Sequence, residues 1–300
     1  MGHLPFRSTA ASRRGSDRMK RRLFVLSLIA AFFFLGDGLS LSGEIKKLRA
    51  VSLAPSTTEI LFALGLDDEI VGVSQFCNYP PRALTKERIG TFSQPNVEKI
   101  LLLKPDIVFC TGLEQAPVIT KLRQLNLKVC VSDPSNFGEL FDSMREMGRL
   151  VGREAQAAAL VEGMKRVIEE MNSQVKPVPQ EKRPKVFVEI WHSPLTTAGK
   201  GSFVDELIMT AGAFNIAYDT GKAYGYFSPE QVIKRNPDYI ILAYMNKEDP
   251  MRLSKGRFGW DSISAVKNDH VWGDIDPDLF LRPGPRLIEG LKEIHKRLYP

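Results

Sequence analysis

Histidine and cysteine are scarce in this chain, and their scarcity removes whole classes of chemistry. Four His and three Cys occur in 300 residues, and only His192, His270 and His295 lie beyond the N-terminal leader. A zinc or manganese centre usually draws on several His or carboxylate ligands, so no metal site is expected. There is no CxxC. Cys77, Cys110 and Cys130 are an odd set, of which at most two can pair within the chain in an oxidising compartment. Cys110 and Cys130 sit in strand-like runs and read equally well as buried apolar residues. Also absent are GxGxxG after a strand, GxxxxGK[ST], HExxH and GxSxG, so nothing assembles a nucleophile or a nucleotide cradle. Low-complexity segments are missing beyond the leader. The longest apolar run, Leu23 to Leu35, is too short for a comfortable membrane span.

An excess of charge of one sign is missing too, once the leader is set aside. The net charge is +6, but residues 1–42 hold seven Lys/Arg against two Asp/Glu. The remainder is balanced, and no nucleic-acid partner is expected. Lys20-Arg21-Arg22 before the apolar run, with small Ser40 and Ser42 after it, reads as a signal peptide over 1–42, cleaved near Ser42–Gly43. Met19 is an alternative start, with 1–18 an upstream extension. No Cys stands near the cleavage region, so a lipid anchor is not expected. The product should be an exported, periplasmic protein without stable membrane insertion, and a monomer. An uncleaved anchor is the rival reading of the same run.

What is present is a sequence that repeats itself. Residues 96–108, NVEKILLLKPDIV, return as residues 228–240, SPEQVIKRNPDYI, with no gap. Each copy reads as a polar N-cap, a short helix, a Pro that ends it and an apolar strand. Glu59 to Gly65 is echoed by Glu206 to Gly212. Two similar α/β halves imply two lobes, and a cleft between lobes is a default place to bind a small molecule.

Strands are expected at Arg49–Leu53, Glu69–Ser74, Asp106–Cys110 and Lys128–Ser132, alternating with helices, hence a parallel sheet in a first lobe of about 44–135. Ser56-Thr57-Thr58-Glu59 reads as a capping box opening a helix that ends at Gly65, and Asn136-Phe137-Gly138-Glu139 as another. Residues 136–176 carry helical periodicity, interrupted at Gly152. About 38 residues of helix would reach roughly 55 Å, long enough for a strut between lobes. The second lobe, 184–300, is expected to hold strands at Lys185–Ile190, Tyr239–Ala243 and His270–Trp272, and a final helix from about Pro285 to Leu298. Met245 to Gly259 reads as loop or irregular helix.

The loops expected to face the cleft are rich in aromatics: Phe76 and Tyr79, Phe92, Trp191 beside His192, and Tyr224, Tyr226 and Phe227. Asp278, Phe280 and Arg282 precede the last helix. Aromatics with a few polar groups suit a large, flat, partly apolar ligand, although rings of this kind also fill cores. Glu98 and Glu230 occupy matched first turns of the repeated helices. There a carboxylate gains ~0.3–1 kcal/mol from the helix dipole, which would explain either one alone; as a pair they could be two acidic grips for one partner.

Arg49 to Glu59, then Val71 to Ser74 leading to Cys77-Asn78-Tyr79-Pro80-Pro81, then Pro95 to Ile100, resemble the cobalamin-binding periplasmic proteins of ABC importers. These belong to the helical-backbone binding proteins that also serve siderophores, haem and some metals. The similarity covers about 48–298, and the 278–286 segment favours the cobalamin branch. The resemblance implies an α/β fold of two lobes, each with a central mainly parallel sheet flanked by helices, joined by a long helix that Gly152 could break. It implies a corrinoid, carried as cargo rather than held as a cofactor, between the lobes against Phe76, Phe92 and Tyr224, with Asp278 and Arg282 at its edge; Ser56, Tyr79, Trp191 and Phe280 complete the expected ligand-binding set. It implies Glu98 and Glu230 as the carboxylates that dock on an ABC permease with its ATPase subunits. Phe at 76 and 92 and Thr at 196 depart from the larger or hydroxylated rings of relatives. Two alternatives stay open: haem or a ferric siderophore as cargo, with His192 or Tyr224 as an axial ligand, and an α/β enzyme using Asp278 and His192 as acid and base.

Overall fold

A computed structural model describes residues 1–2, 47–244 and 256–300. The expected signal peptide and most of the 245–259 stretch lie outside the described residues. The chain divides into two units, Met1–Lys47 and Leu48–Pro300; all that follows concerns the second.

Its first half is a five-stranded sheet of order β3-β2-β1-β4-β5, parallel throughout. The strands are β1 (Ala50–Ser52), β2 (Ile70–Val73), β3 (Glu87–Arg88), β4 (Ile107–Cys110) and β5 (Val129–Val131). Helices α1 (Pro55–Ala63), α2 (Val97–Leu102) and α3 (Ala116–Gln124) connect them. Both faces of this sheet are buried, as parallel sheets require. Ala50, Ile107 and Phe109 face one core, while Val51, Val108 and Cys110 face another with Ile100, Ile119 and Leu122. Cys110 and Cys130 belong to neighbouring strands but to opposite faces, since Cys130 registers with Phe109 and not with Cys110. They are free thiols, pushed up to about 12 and about 11 respectively, chiefly by burial.

The second half holds a six-stranded sheet of order β11-β10-β6-β7-β9, with β8 beside β6. Here β6 (Lys185–His192), β10 (Tyr239–Leu242) and β11 (Val271–Trp272) run parallel, as expected. The sheet is mixed rather than parallel throughout, because β7 (Leu195–Ala198) turns back antiparallel to β6 and pairs antiparallel with β9 (Tyr224–Tyr226). Strand β8 (Phe214–Asn215) completes it. Helices α6 (Phe203–Thr210), α7 (Pro229–Arg235), α8 (Ser264–Lys267), α9 (Asp278–Leu281) and α10 (Leu287–Leu298) flank it.

Between the halves lie α4 (Phe137–Val151) and α5 (Glu154–Val175). They do not form one strut. Gly152 takes a left-handed conformation (φ 67°), and the chain folds back. Arg145 lies 3.9 Å from Glu162, and Lys165 sits over the Phe141 ring, contacts impossible for a straight 38-residue helix. The strut is α5 alone, roughly 33 Å long at the usual rise per residue. It starts beside the first half, where Arg153 pairs with Glu69, and ends in the second, where Val175 abuts Gly212.

The internal repeat extends into atomic detail. Asn96 and Ser228 cap α2 and α7 through their side chains. Lys104 and Asn236, each just before the Pro, both have positive φ. Asp106 accepts from the Arg49 N–H at 2.9 Å, and Asp238 from the Lys185 N–H at 2.8 Å. Gly65 and Gly212, the ends of the second echo, both have positive φ as well.

Candidate functional site

In open α/β sheets ligands bind outside the carboxyl ends of the strands. Ser56, Phe76, Tyr79 and Phe92 all follow carboxyl ends of strands in the first sheet, and Trp191, Asp278 and Arg282 follow or end strands of the second. The two edges meet, because Glu59 of α1 reaches Arg282 and Arg286 beyond β11.

On the first edge, α1 starts two residues earlier than a capping box at Ser56 allows. Ala54 is its N-cap and supplies no side-chain bond. Ser56, Thr57, Thr58 and Glu59 lie buried inside the first turns. Pro55 at N1 explains this, since its ring presets the helical φ and its missing N–H is one the helix leaves unpaired anyway. The hydroxyls are spent inward: Thr57 and Thr58 bond Ser52 at 2.7 Å, and Thr58 also reaches the Cys77 sulfur at 3.1 Å. Burial pushes the Cys77 thiol up. This network, with Arg88 donating to the carbonyls of Ser74 and Cys77 at 2.9 Å each, fixes the loop that presents Phe76 and Tyr79. Both rings are exposed, Phe76 by 58% and Tyr79 by 40%.

The loop carrying Phe92 is held by Gln115, a residue the sequence did not single out. Its buried amide donates to the carbonyls of Leu53 and Phe92 and accepts from the Thr111 N–H, all at 2.9–3.0 Å. One side chain thus ties together the turns after β1, β3 and β4. Gly90 makes the entry to that loop possible. At φ 108° a Cβ would sit 2.8 Å from the Gln94 carbonyl oxygen.

On the second edge the antiparallel strands build a row of rings. Trp191 registers with Thr196, and Thr196 with Tyr226, so the three lie side by side on one face. Tyr224 stands two residues before Tyr226 on that face. Trp191, Tyr224 and Tyr226 are all exposed, and the indole N–H donates to the Ser193 carbonyl at 3.0 Å, which fixes the ring. Thr196, where an aromatic is absent, is therefore flanked by two. Tyr226, already expected among the cleft aromatics, is set beside Thr196 by the pairing of β7 and β9, a register that the sequence patterns did not reveal.

Two expected aromatics go elsewhere. Phe280 and Phe227 are buried in the cores. In α9 (Asp278–Leu281) the helical turn aims Phe280 inward while Asp278 points to Arg282 at 2.8 Å. Burial, more than that arginine opposes, raises the Asp278 carboxyl. His192 packs between Trp191 and Tyr244. His270 stacks on Tyr239 at 4.6 Å, and His295 bonds the Ala211 carbonyl at 3.0 Å. Among the described residues no group of three His, Cys, Asp or Glu is placed to hold a metal ion.

Glu98 and Glu230 stand in the first turns of α2 and α7, both exposed. Ser228 donates to the Glu230 carboxylate and holds it below the usual range.

This architecture has known counterparts. A model of the family described as periplasmic binding protein matches residues 51–277. A Bacillus subtilis protein named an uncharacterized ABC transporter substrate-binding lipoprotein is 36% identical over 86% of this chain and 81% of its own length. A vitamin B12-binding protein of Vibrio cholerae is 28% identical over 91% of this chain and 96% of its own. Among solved structures, a possible iron-binding (periplasmic solute-binding) protein from Staphylococcus epidermidis superposes with TM-score 0.73 at 33% identity, over 85% and 100% of the two chains. The periplasmic vitamin B12-binding protein of Vibrio cholerae superposes with TM-score 0.70 at 28% identity, over 83% and 96%. The chain belongs to the periplasmic binding protein family.

Proposed function

We propose that this protein captures a corrinoid in the periplasm and delivers it, unaltered, to the permease of an ABC importer. The observation that carries the reading is the pair of aromatic edges: Phe76 and Tyr79 on one sheet, and Trp191, Tyr224 and Tyr226 on the other, exposed where two carboxyl edges meet. Exposed rings gathered on two strand edges suit a flat, wide, amphipathic ligand better than a small sugar or ion. The vitamin B12-binding relatives support that cargo. Glu98 and Glu230, exposed at matched points of the two halves, serve as grips for arginines of the permease. Reaction chemistry has no support here, since Asp278, one of the two groups an enzyme reading would use, is engaged by Arg282.

Titration calorimetry of the mature chain with cyanocobalamin and dicyanocobinamide tests the cargo. Saturable one-to-one binding below micromolar supports a corrinoid, and the ratio of the two affinities reads out recognition of the lower base. No heat from a folded sample sinks it. A Soret band on haem titration, lost in Tyr224→Ala, would transfer the site to haem. In an uptake assay, Glu98→Ala with Glu230→Ala should abolish delivery and leave ligand affinity intact. Loss of affinity in that double variant would overturn the docking role.

A further inference from the structure

Glu59 is carried by α1 at the first edge, yet its carboxylate is used entirely by the second. Its Oε2 accepts from Arg286 Nε at 2.9 Å and its Oε1 from Arg286 Nη2 at 2.7 Å, a two-pronged pair. Arg282 Nη1 approaches the same Oε1 at 3.3 Å. The whole group is buried, with Glu59, Arg286 and Arg282 side chains exposed by 2%, 9% and 12%. The arginines in turn hold cleft groups from both edges. The Arg286 guanidinium carbon lies over the Tyr79 ring, 4.0 Å from its centre. Arg282 bonds Asn78 at 2.6 Å and Asp278 at 2.8 Å. The segment 78–79 and the segment 278–286 are thereby locked to one carboxylate, although more than two hundred positions separate them in sequence.

We propose that Glu59 is a positioning residue for ligand affinity, a clasp that sets the spacing of Tyr79, Asp278 and the two arginines across the mouth of the site. The proposal rests on the reading of the aromatic edges as the ligand site. A buried pair of this kind adds little net stability compared with apolar packing, but removing one partner strands a buried charge. The planar arginine fork fixes direction as well as distance, which an ammonium does not. The clasp therefore contributes geometry: with it, the ligand meets a preformed site and no ordering cost falls on binding.

The test compares Glu59→Gln, which keeps shape and loses charge, and Arg286→Lys, which keeps charge and loses the fork. Amide hydrogen exchange of the ligand-free protein reads the clasp itself. Residues 76–82 and 278–286 should lose protection together in Glu59→Gln, and to a lesser degree in Arg286→Lys, while β4 and β10 keep theirs. Cyanocobalamin and haem affinities then read the positioning, with a fall of at least ten-fold expected in Glu59→Gln for whichever cargo the wild type binds. A core variant in the last turn of α3, Leu122→Ala, with a comparable loss in Tm, should retain wild-type affinity and so separates positioning from mere stability. Unchanged exchange in both segments, or unchanged affinity despite loosened segments, overturns the proposal. If the wild type binds neither cargo while the two segments loosen together, the clasp stands and the corrinoid and haem readings fall. Should Glu59→Gln not fold, Arg286→Lys carries the same comparison.

Discussion

Single side chains in this protein do the work of joining loops, and Asp278 shows how finely their environment decides their charge. Its carboxylate meets Arg282 at 2.8 Å, an arrangement that would normally favour ionisation. Its value is nevertheless raised, because burial costs the charged form more than an arginine shared with Glu59 and Asn78 returns. A carboxyl with a folded value above its unfolded one favours the protonated state in the fold. Its contribution is complete below the unfolded value, roughly pH 3.9, and is lost as pH rises through the raised one. Asp278→Asn, neutral at every pH, removes that slope. Urea unfolding across a pH series should show the stability of wild type relative to Asp278→Asn declining as pH rises from about 3 towards neutrality. A difference that grows with pH would mean that Arg282 dominates after all.

At the scale of elements, what the sequence made legible and what it hid have a common cause. The repeated segments were legible because a polar cap, a short helix and a Pro are local instructions, and the structure obeys them with matched caps and matched aspartate bonds. Four strands of the first sheet, β1, β2, β4 and β5, were legible for the same reason, each being a short apolar run between helices. Strands β3, β7, β8 and β9 were not, since runs such as Leu195–Ala198 and Tyr224–Tyr226 become strands only by pairing across the sheet. Ser56 misled because a capping-box pattern is outvoted by the Pro before it. The site followed the same rule: the aromatics, Tyr226 included, were visible, while Gln115 and Arg286 depend on distant partners. The linking segment misled in length. Helical periodicity continues past Gly152, but periodicity does not record direction, and one left-handed residue reverses the chain. That reversal is testable. A Cβ at Gly152 meets no atom within 4 Å, so an alanine there acts through the backbone alone. Gly152→Ala should cost ~1–2 kcal/mol, whereas Gly152→Asn, tolerated in the left-handed region, should cost clearly less. Thermal unfolding of the two variants decides it, and equal losses would remove the conformational explanation.

The whole molecule from Leu48 onward behaves, by its packing, as one body despite its two sheets. A single apolar cluster runs from Ala50, Ile107 and Phe109 in the first half, through Met144, Val161 and Met164 of the helical hairpin, to Val188, Leu207 and Leu291 in the second. Helix α5 belongs to both halves, and the Glu59–Arg286 pair closes them at the opposite edge. Independent lobes would need a boundary with few contacts across it, and the shared cluster denies them one. The three tryptophans make this measurable, since Trp191, Trp260 and Trp272 all lie in the second half. Their fluorescence therefore reports that half, while far-UV circular dichroism reports both. Phe109→Ala empties a fully buried site in the first sheet, at an expected cost of ~3–5 kcal/mol. If the halves unfold together, that change lowers the denaturant midpoint of tryptophan fluorescence as much as that of circular dichroism, although no tryptophan is near the mutation in sequence. If they unfold separately, fluorescence keeps its wild-type midpoint while circular dichroism splits into two steps. The first result would mean that ligand capture draws on the stability of the entire body; the second would place a hinge where the packing shows a continuous core.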